Sequence, residues 1–171
     1  MSRPVDIRRI TLTALMAALI FVLTTVPRVP VPATGGYVHL GDAGVAFAAV
    51  AFGPWVAMAS GGLGTALADL VGFPQWAIFS LLVHGIQGLL MGLLFRRGLN
   101  WTTVLLATLV SIATVVLGYF LAGVVLEGAA AAAVEILPNT IQALSGSIVG
   151  LPLYWAVRKA YPPVEKYSDR I

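Results

Sequence analysis

Apolar residues in this chain come in long continuous runs, not in the alternation of half-buried strands, and charges, prolines and glycines interrupt the runs only at wide intervals. Four runs stand clear: Ile7 to Val26, Trp76 to Phe95, Trp101 to Leu126 and Val134 to Val157. Each suits a helix that crosses a bilayer, which takes about 20 apolar residues to span roughly 30 Å of hydrocarbon. A fifth region is ambiguous. No charge occurs between Asp42 and Asp69, a stretch too long for one comfortable helix and short for two, with Gly53-Pro54 near its middle. Proline lacks an amide donor and disfavours helix in the residue before it, so this pair reads as either a kink or a turn.

Charge chooses between the two. With a single span here, Arg96, Arg97, Arg158, Lys159, Lys166 and Arg170 join Arg28 outside, leaving only Arg3, Arg8 and Arg9 inside. With a turn, all of these except Arg28 gather on the cytoplasmic side, as the bias of Lys and Arg requires. The expected fold is therefore an all-α integral membrane protein, a six-transmembrane-helix bundle with shortened second and third helices and both termini cytoplasmic. It forms a single transmembrane domain over 1–171, with helices at approximately 7–26, 42–53, 54–71, 76–95, 101–126 and 134–157. The acids then divide too: Asp42, Asp69, Glu127 and Glu135 at outer ends, Asp6, Glu165 and Asp169 inside. Arg8-Arg9 and Val31-Pro32-Ala33 imitate a cleaved leader, but the apolar run between them exceeds the about 7 to 15 residues of a signal core, and the first helix is expected to be retained.

Composition agrees. Of 171 residues 59% are hydrophobic and 10% charged, against about 25% charged in a soluble domain. The basic residues flank apolar runs and form no nucleic-acid patch. There are no cysteines, so thiolate metal ligands and disulfides are excluded. No glycine-rich segment ends in Lys followed by Ser or Thr, so ATP-driven transport would need partner subunits. Two histidines without a His-Glu-x-x-His arrangement, and no Ser-His-Asp set, argue against an enzyme; neither a metal nor a cofactor is expected.

Polar groups inside hydrocarbon are costly, so each one is a candidate for function. Glu135, Asn139 and Gln142, followed by Ser145 or Gly146, recur on one face of the last helix, entered from outside. His84 and Gln87 lie three apart on the fourth helix, with Met91 a turn further in. Short second and third helices would leave a recess with Asp42 and Asp69 at its mouth. The proline- and glycine-rich loop from Pro27 to Gly41, carrying Thr34, Tyr37 and His39, is placed to cover it. Tyr37, His39, Asp42, Asp69, Trp76, His84, Gln87, Asn139 and Gln142 make up the candidate binding set. Asn139 and Gln142 have a rival role as interhelical hydrogen-bond formers, His84 as a satisfied packing residue and Asp69 as a cap on a neighbouring helix start. Trp76, Tyr119 and Trp101 also fit interfacial belt positions. Glycines 61, 62, 64, 85, 88 and 92 read as close-packing positions. Ala14 and Ala18, one turn apart, form a small-residue face for contact either within the bundle or with another subunit.

Several segments resemble the substrate-binding S component of energy-coupling factor (ECF) vitamin transporters: Gly36-Tyr37-Val38-His39-Leu40-Gly41-Asp42-Ala43, Gly53-Pro54, Gly64-Thr65-Ala66-Leu67-Ala68-Asp69 and Leu137-Pro138-Asn139. Ala14-Leu15-Met16-Ala17-Ala18 is similar to that family's contact motif for the transmembrane T component. The resemblance implies a multi-pass protein of a prokaryotic plasma membrane that captures a vitamin or precursor beneath a lid formed by the first loop. It implies a T component and two cytoplasmic ATPases as partners, and toppling in the membrane as the release step. By subgroup the cargo is hydroxymethylpyrimidine-like, with pyridoxine-like and riboflavin-like cargo next. The rival reading is a stand-alone proton-coupled carrier or channel using Asp42, Asp69, His39 and His84 as a relay.

Overall fold

The computed structural model describes residues 7–32, 34 and 36–168. Arg3, Asp6, Ala33, Asp169 and Arg170, used above in counting charge and weighing a leader, lie outside the described residues. The elements run α1 (Ile7–Thr25), β1 (Val29–Val31), β2 (Gly36–Val38), α2 (Gly41–Phe52), α3 (Pro54–Gly72), α4 (Ala77–Phe95), α5 (Trp101–Leu126), α6 (Ala129–Val134) and α7 (Ile136–Ala160). Short 3-10 turns precede α4 and follow α7.

Gly53-Pro54 is a turn. Gly53 takes φ 84°, a conformation that a side chain disfavours, and Pro54 opens α3 at the position where its missing N–H costs nothing. The chain reverses, and α2 packs back on α3. α2 has 12 residues, about 18 Å at helical rise. α3 is not short: its 19 residues extend about 28 Å, so the expected shortening holds for the second helix alone. Among the described residues four helices are long and apolar enough to cross a membrane, namely α1, α4 with its leading turn, α5 and α7.

α2 is the centre of the bundle. It contacts α1, α3, α4 and α7, and only Phe47 among its residues is incompletely buried. Its alanines and glycines permit this enclosure, because small side chains let backbones approach. The α3–α4 contact, the most extensive in the fold, works the same way. A Cβ at Gly62 would meet the Leu81 carbonyl, one at Gly88 the Ala57 carbonyl and one at Gly92 the ring of Pro54. Leucines and valines of α1, α4, α5 and α7 cover the outer surface, as a lipid-facing exterior demands.

Charge is sorted by end. Arg8 and Arg9 at the start of α1, Arg96 and Arg97 after α4, and Arg158 and Lys159 at the end of α7 lie at one end. There Arg8 stacks 5.3 Å from the Tyr167 ring, and Arg158 pairs with Glu165 at 2.5 Å. Arg28 is at the other end, over the Tyr37 and Phe73 rings, the end where Asp69, Glu127 and Glu135 also lie.

Candidate functional site

After α1 the proline- and glycine-rich segment cannot continue as helix and folds into an antiparallel hairpin, with Val29 opposite Val38 and Val31 opposite Gly36. Two anchors hold it down. Arg28 donates from Nε to the Thr24 carbonyl at 3.1 Å and lays its guanidinium 4.3 Å from the Tyr37 ring centre. On the other side the Thr34 hydroxyl bonds the carboxylate of Glu135, just before α7.

Beneath the hairpin is a cavity of about 220 Å³, closed by the end of α3, the outer half of α5, α6 and the start of α7. Of the candidates read from sequence, Tyr37, His39, Asp69, Trp76 and Asn139 line it. Asp42, His84, Gln87 and Gln142 do not; they are buried under its floor. Asp42 was expected at the mouth. Instead it sits in the first turn of α2, 1% exposed, packed so tightly on α7 that a Cβ at Gly146 would overlap it. The short α2 starts deep in the bundle, and its first turn goes with it.

The floor is one hydrogen-bonded network. Tyr37 donates to Asp69 Oδ1 at 2.7 Å, and Ser80 bonds Asp69 Oδ2. The Tyr119 hydroxyl lies 2.6 Å from Ser80 Oγ and 3.1 Å from His84 Nε2. His84 Nδ1 is 2.8 Å from Gln87 Oε1 and 3.4 Å from Asp42. Gln87 donates to Asp42 at 3.1 Å and to Ser111 at 2.8 Å, and Gln142 donates to Asp42 at 3.4 Å. Gln142 Oε1 in turn accepts the His39 backbone N–H, which ties the hairpin to the floor. Asp69 does not cap the neighbouring helix start: neither the turn at Pro74–Trp76 nor α4 has a side-chain cap hydrogen bond, and the Asp69 carboxylate is taken by Tyr37 and Ser80.

His39, Asp42 and His84 bring ligand atoms within 4.8 Å of one another, the grouping among the described residues that could hold a cation. Their atoms are already engaged with one another and with Gly41, Gln87, Gln142 and Tyr119, so the cluster reads as a hydrogen-bonded core. Burial, aided by His84 and Arg28, keeps the His39 imidazole well below its usual range and hence neutral. Its Nδ1 accepts the Gly41 N–H at 3.1 Å, so Nε2 carries the hydrogen. Burial, with the charge of Asp69 and the hydrogen bond to it, pushes the Tyr37 hydroxyl well above its usual range, against the opposing pull of Arg28; Tyr37 stays a donor.

The cavity wall is acidic and aromatic. Asp69, Glu127 and Glu135 line it with Phe73, Trp76 and Tyr119, and among the described residues no Lys or Arg does. Sequence reasoning placed Glu127 only at an outer helix end, put Glu135 at the head of the last helix's polar stripe without counting it in the binding set, and treated Tyr119 as a belt aromatic. It gave Ser80 no role, because an isolated serine in a span carries no periodic signal.

Residues 5–159 match the family described as ECF-type riboflavin transporter, S component. A thiamine precursor transporter, HmpT, from Lactococcus lactis subsp. cremoris (strain MG1363) is 34% identical over 146 residues, covering 84% of each chain. An uncharacterised protein of Pyrococcus woesei is 38% identical over 143 residues, 84% of this chain and 97% of that one. Among solved structures, the S component for biotin from an ECF-type ABC transporter superposes with a TM-score of 0.69 over 98% of this chain and 99% of that one, at 17% identity.

Proposed function

The chain belongs to the family of ECF-type riboflavin transporter S components, and from that premise we propose that it captures a neutral or basic one-ring heteroaromatic, of the hydroxymethylpyrimidine type, at the outer face of a prokaryotic plasma membrane. It is a multi-pass membrane protein and a transporter component, not an enzyme. The observation that carries the choice of cargo is the cavity itself: about 220 Å³, walled by three carboxylates and, among the described residues, by no Lys or Arg, with His39 as a neutral imidazole. Sites for drug-sized ligands occupy about 300 to 1,000 Å³, so a tricyclic flavin with its ribityl chain is too large for this one. An anionic ligand such as biotin would bring its carboxylate against Asp69, Glu127 and Glu135. A pyrimidine or pyridine ring with hydroxyl and amine substituents meets both conditions, lying against the wall that Trp76 and Tyr119 form by packing on each other with ring centres 5.9 Å apart. The similarity to a thiamine precursor transporter supports the pyrimidine over pyridoxine.

Outer capture follows from charge. The cavity opens at the end of Arg28, opposite the basic end that the positive-inside rule assigns to the cytoplasm, and this charge bias supports cytoplasmic termini. No phosphate-cradling loop is present in the chain, so uptake draws on a T component and two ATPases. The proton-coupled carrier fits less well. Past Asp42 and Gln87 the bundle is filled by Met91, Phe95, Val50 and Tyr154, and a proton path would have to cross that packed core. Calorimetric titration of the purified chain tests the reading, with hydroxymethylpyrimidine, pyridoxine, riboflavin and biotin in turn. Hydroxymethylpyrimidine should bind tightest and biotin not at all; tightest binding of riboflavin or biotin rejects it.

A further inference from the structure

Four side chains from three helices form a row under the cavity: Asp69 on α3, Ser80 and His84 on α4, and Tyr119 on α5. Three contacts join them, Asp69 to Ser80, Ser80 to Tyr119 and Tyr119 to His84 Nε2. Each contact needs one hydrogen and each hydroxyl holds one, so two hydroxyls cannot serve all three. The third hydrogen comes from an end of the row. Either His84 Nε2 is protonated and Asp69 is a carboxylate, or Asp69 is a carboxyl and Nε2 is bare.

The other nitrogen of His84 follows from the orientation of the Gln87 amide. With its amide hydrogens given to Asp42 and Ser111, the Gln87 oxygen faces Nδ1 and Nδ1 carries a hydrogen in both cases. Asp42 then decides between the ends. Its polar neighbours, Gln87 Nε2, Gln142 Nε2 and His84 Nδ1, are all donors, so a carboxyl hydrogen there would find no acceptor and Asp42 is a carboxylate. A buried carboxylate is stable when paired, and a neutral His84 would leave this one as an isolated charge in the apolar centre of the bundle. The other titratable groups facing His84 supply no cation: Tyr119 from α5 is an acceptor from Nε2, Asp69 from α3 is acidic, and His39, 5.8 Å away between ring centres, is neutral. Arg28 lies up at the hairpin, bonded to the Thr24 carbonyl and set over the Tyr37 and Phe73 rings.

We propose that His84 is held as an imidazolium paired with Asp42, and that through Tyr119 and Ser80 it keeps Asp69 an anionic acceptor on the cavity wall, selecting heterocycles that present an N–H there. His84 and Ser80 are positioning residues, since neither lines the cavity. The charge assignment stands on the network alone; its last clause rests on the proposed one-ring ligand.

The chain has two histidines, so its imidazole nitrogen NMR spectrum is readable without dilution of the signal. In the ligand-free protein at neutral pH one ring should be neutral and the other protonated on both nitrogens, with the latter disturbed by Tyr119→Phe. Two neutral rings overturn the proposal. Ser80→Ala then cuts the row without touching the ligand. Binding of hydroxymethylpyrimidine, whose exocyclic amine supplies the N–H, should begin to fail about one pH unit higher than in the wild type as the solution is acidified, a tenfold effect at a fixed pH on that limb. A variant that loses thermal stability but keeps the wild-type pH profile overturns the positioning role. If hydroxymethylpyrimidine does not bind the wild type while one ring is doubly protonated, the pyrimidine reading fails and the charge assignment stands.

Discussion

Asn139 sits one helical turn inside Glu135 on α7, and both reach the cavity, whereas Gln142 on the same stripe is turned to His39 and Asp42. The division has a cause. Asn139 is level with the hairpin, where space is left, and Gln142 is level with the first turn of α2, where none is. Asn139→Ala should weaken binding of hydroxymethylpyrimidine by at least about 1 kcal/mol, the scale of one polar partner left unpaired, with no change in the melting temperature. Unchanged affinity by calorimetry removes Asn139 from the ligand's contacts. At this scale sequence reasoning found polar residues in apolar runs, because their desolvation makes each one conspicuous. It could not tell wall from floor. His84, Gln87 and Asp42 are as polar as Asp69, and only the depth at which α2 begins puts them beneath the cavity. Tyr119 was hidden for the opposite reason, since a tyrosine in a span has an ordinary use at the interface that needs no partner.

The elements themselves are set by small residues. Gly53-Pro54 turns the chain, and Gly62, Gly88 and Gly92 seat α4 on α3. On α1 the inward face is Met16, Ala17 and Ile20, and Ala14 and Ala18 point away from the bundle. Their close contact, read from sequence as either internal or external, is thus available only to another subunit. Replacing both with Trp should leave ligand binding and thermal stability unchanged and abolish copurification with a T component and ATPases, since interfaces tolerate overfilling poorly. Joint collapse of binding and stability would place that face inside the fold after all. The third helix keeps its expected bounds, 54–71, to within one residue, and only its description as short fails, because a helix of that length rises about 28 Å. α3 runs past Asp69 to Gly72, and Asp69 projects sideways from its last turn.

Across the whole molecule, charge and cavity oppose each other: the basic ends lie together, and the acidic cavity opens beside Arg28. A cysteine beside Arg97 should be labelled only from the cytoplasm and one beside Arg28 only from outside, by impermeant maleimide on intact cells and inverted vesicles. Outside labelling of the Arg97 site would reverse the proposed orientation. The membrane class, the helical runs and the turn at Gly53-Pro54 were all settled by the sequence itself. They depend on local quantities: run length against bilayer thickness, backbone freedom, and charge at the ends of spans. Which polar side chains share a cavity, and which are sealed beneath it, was decided only by tertiary structure. Those relations join residues as distant in the chain as Asp42 and Gln142, or Thr34 and Glu135. They depend on how deep each helix sits against its neighbours, and no local pattern encodes that.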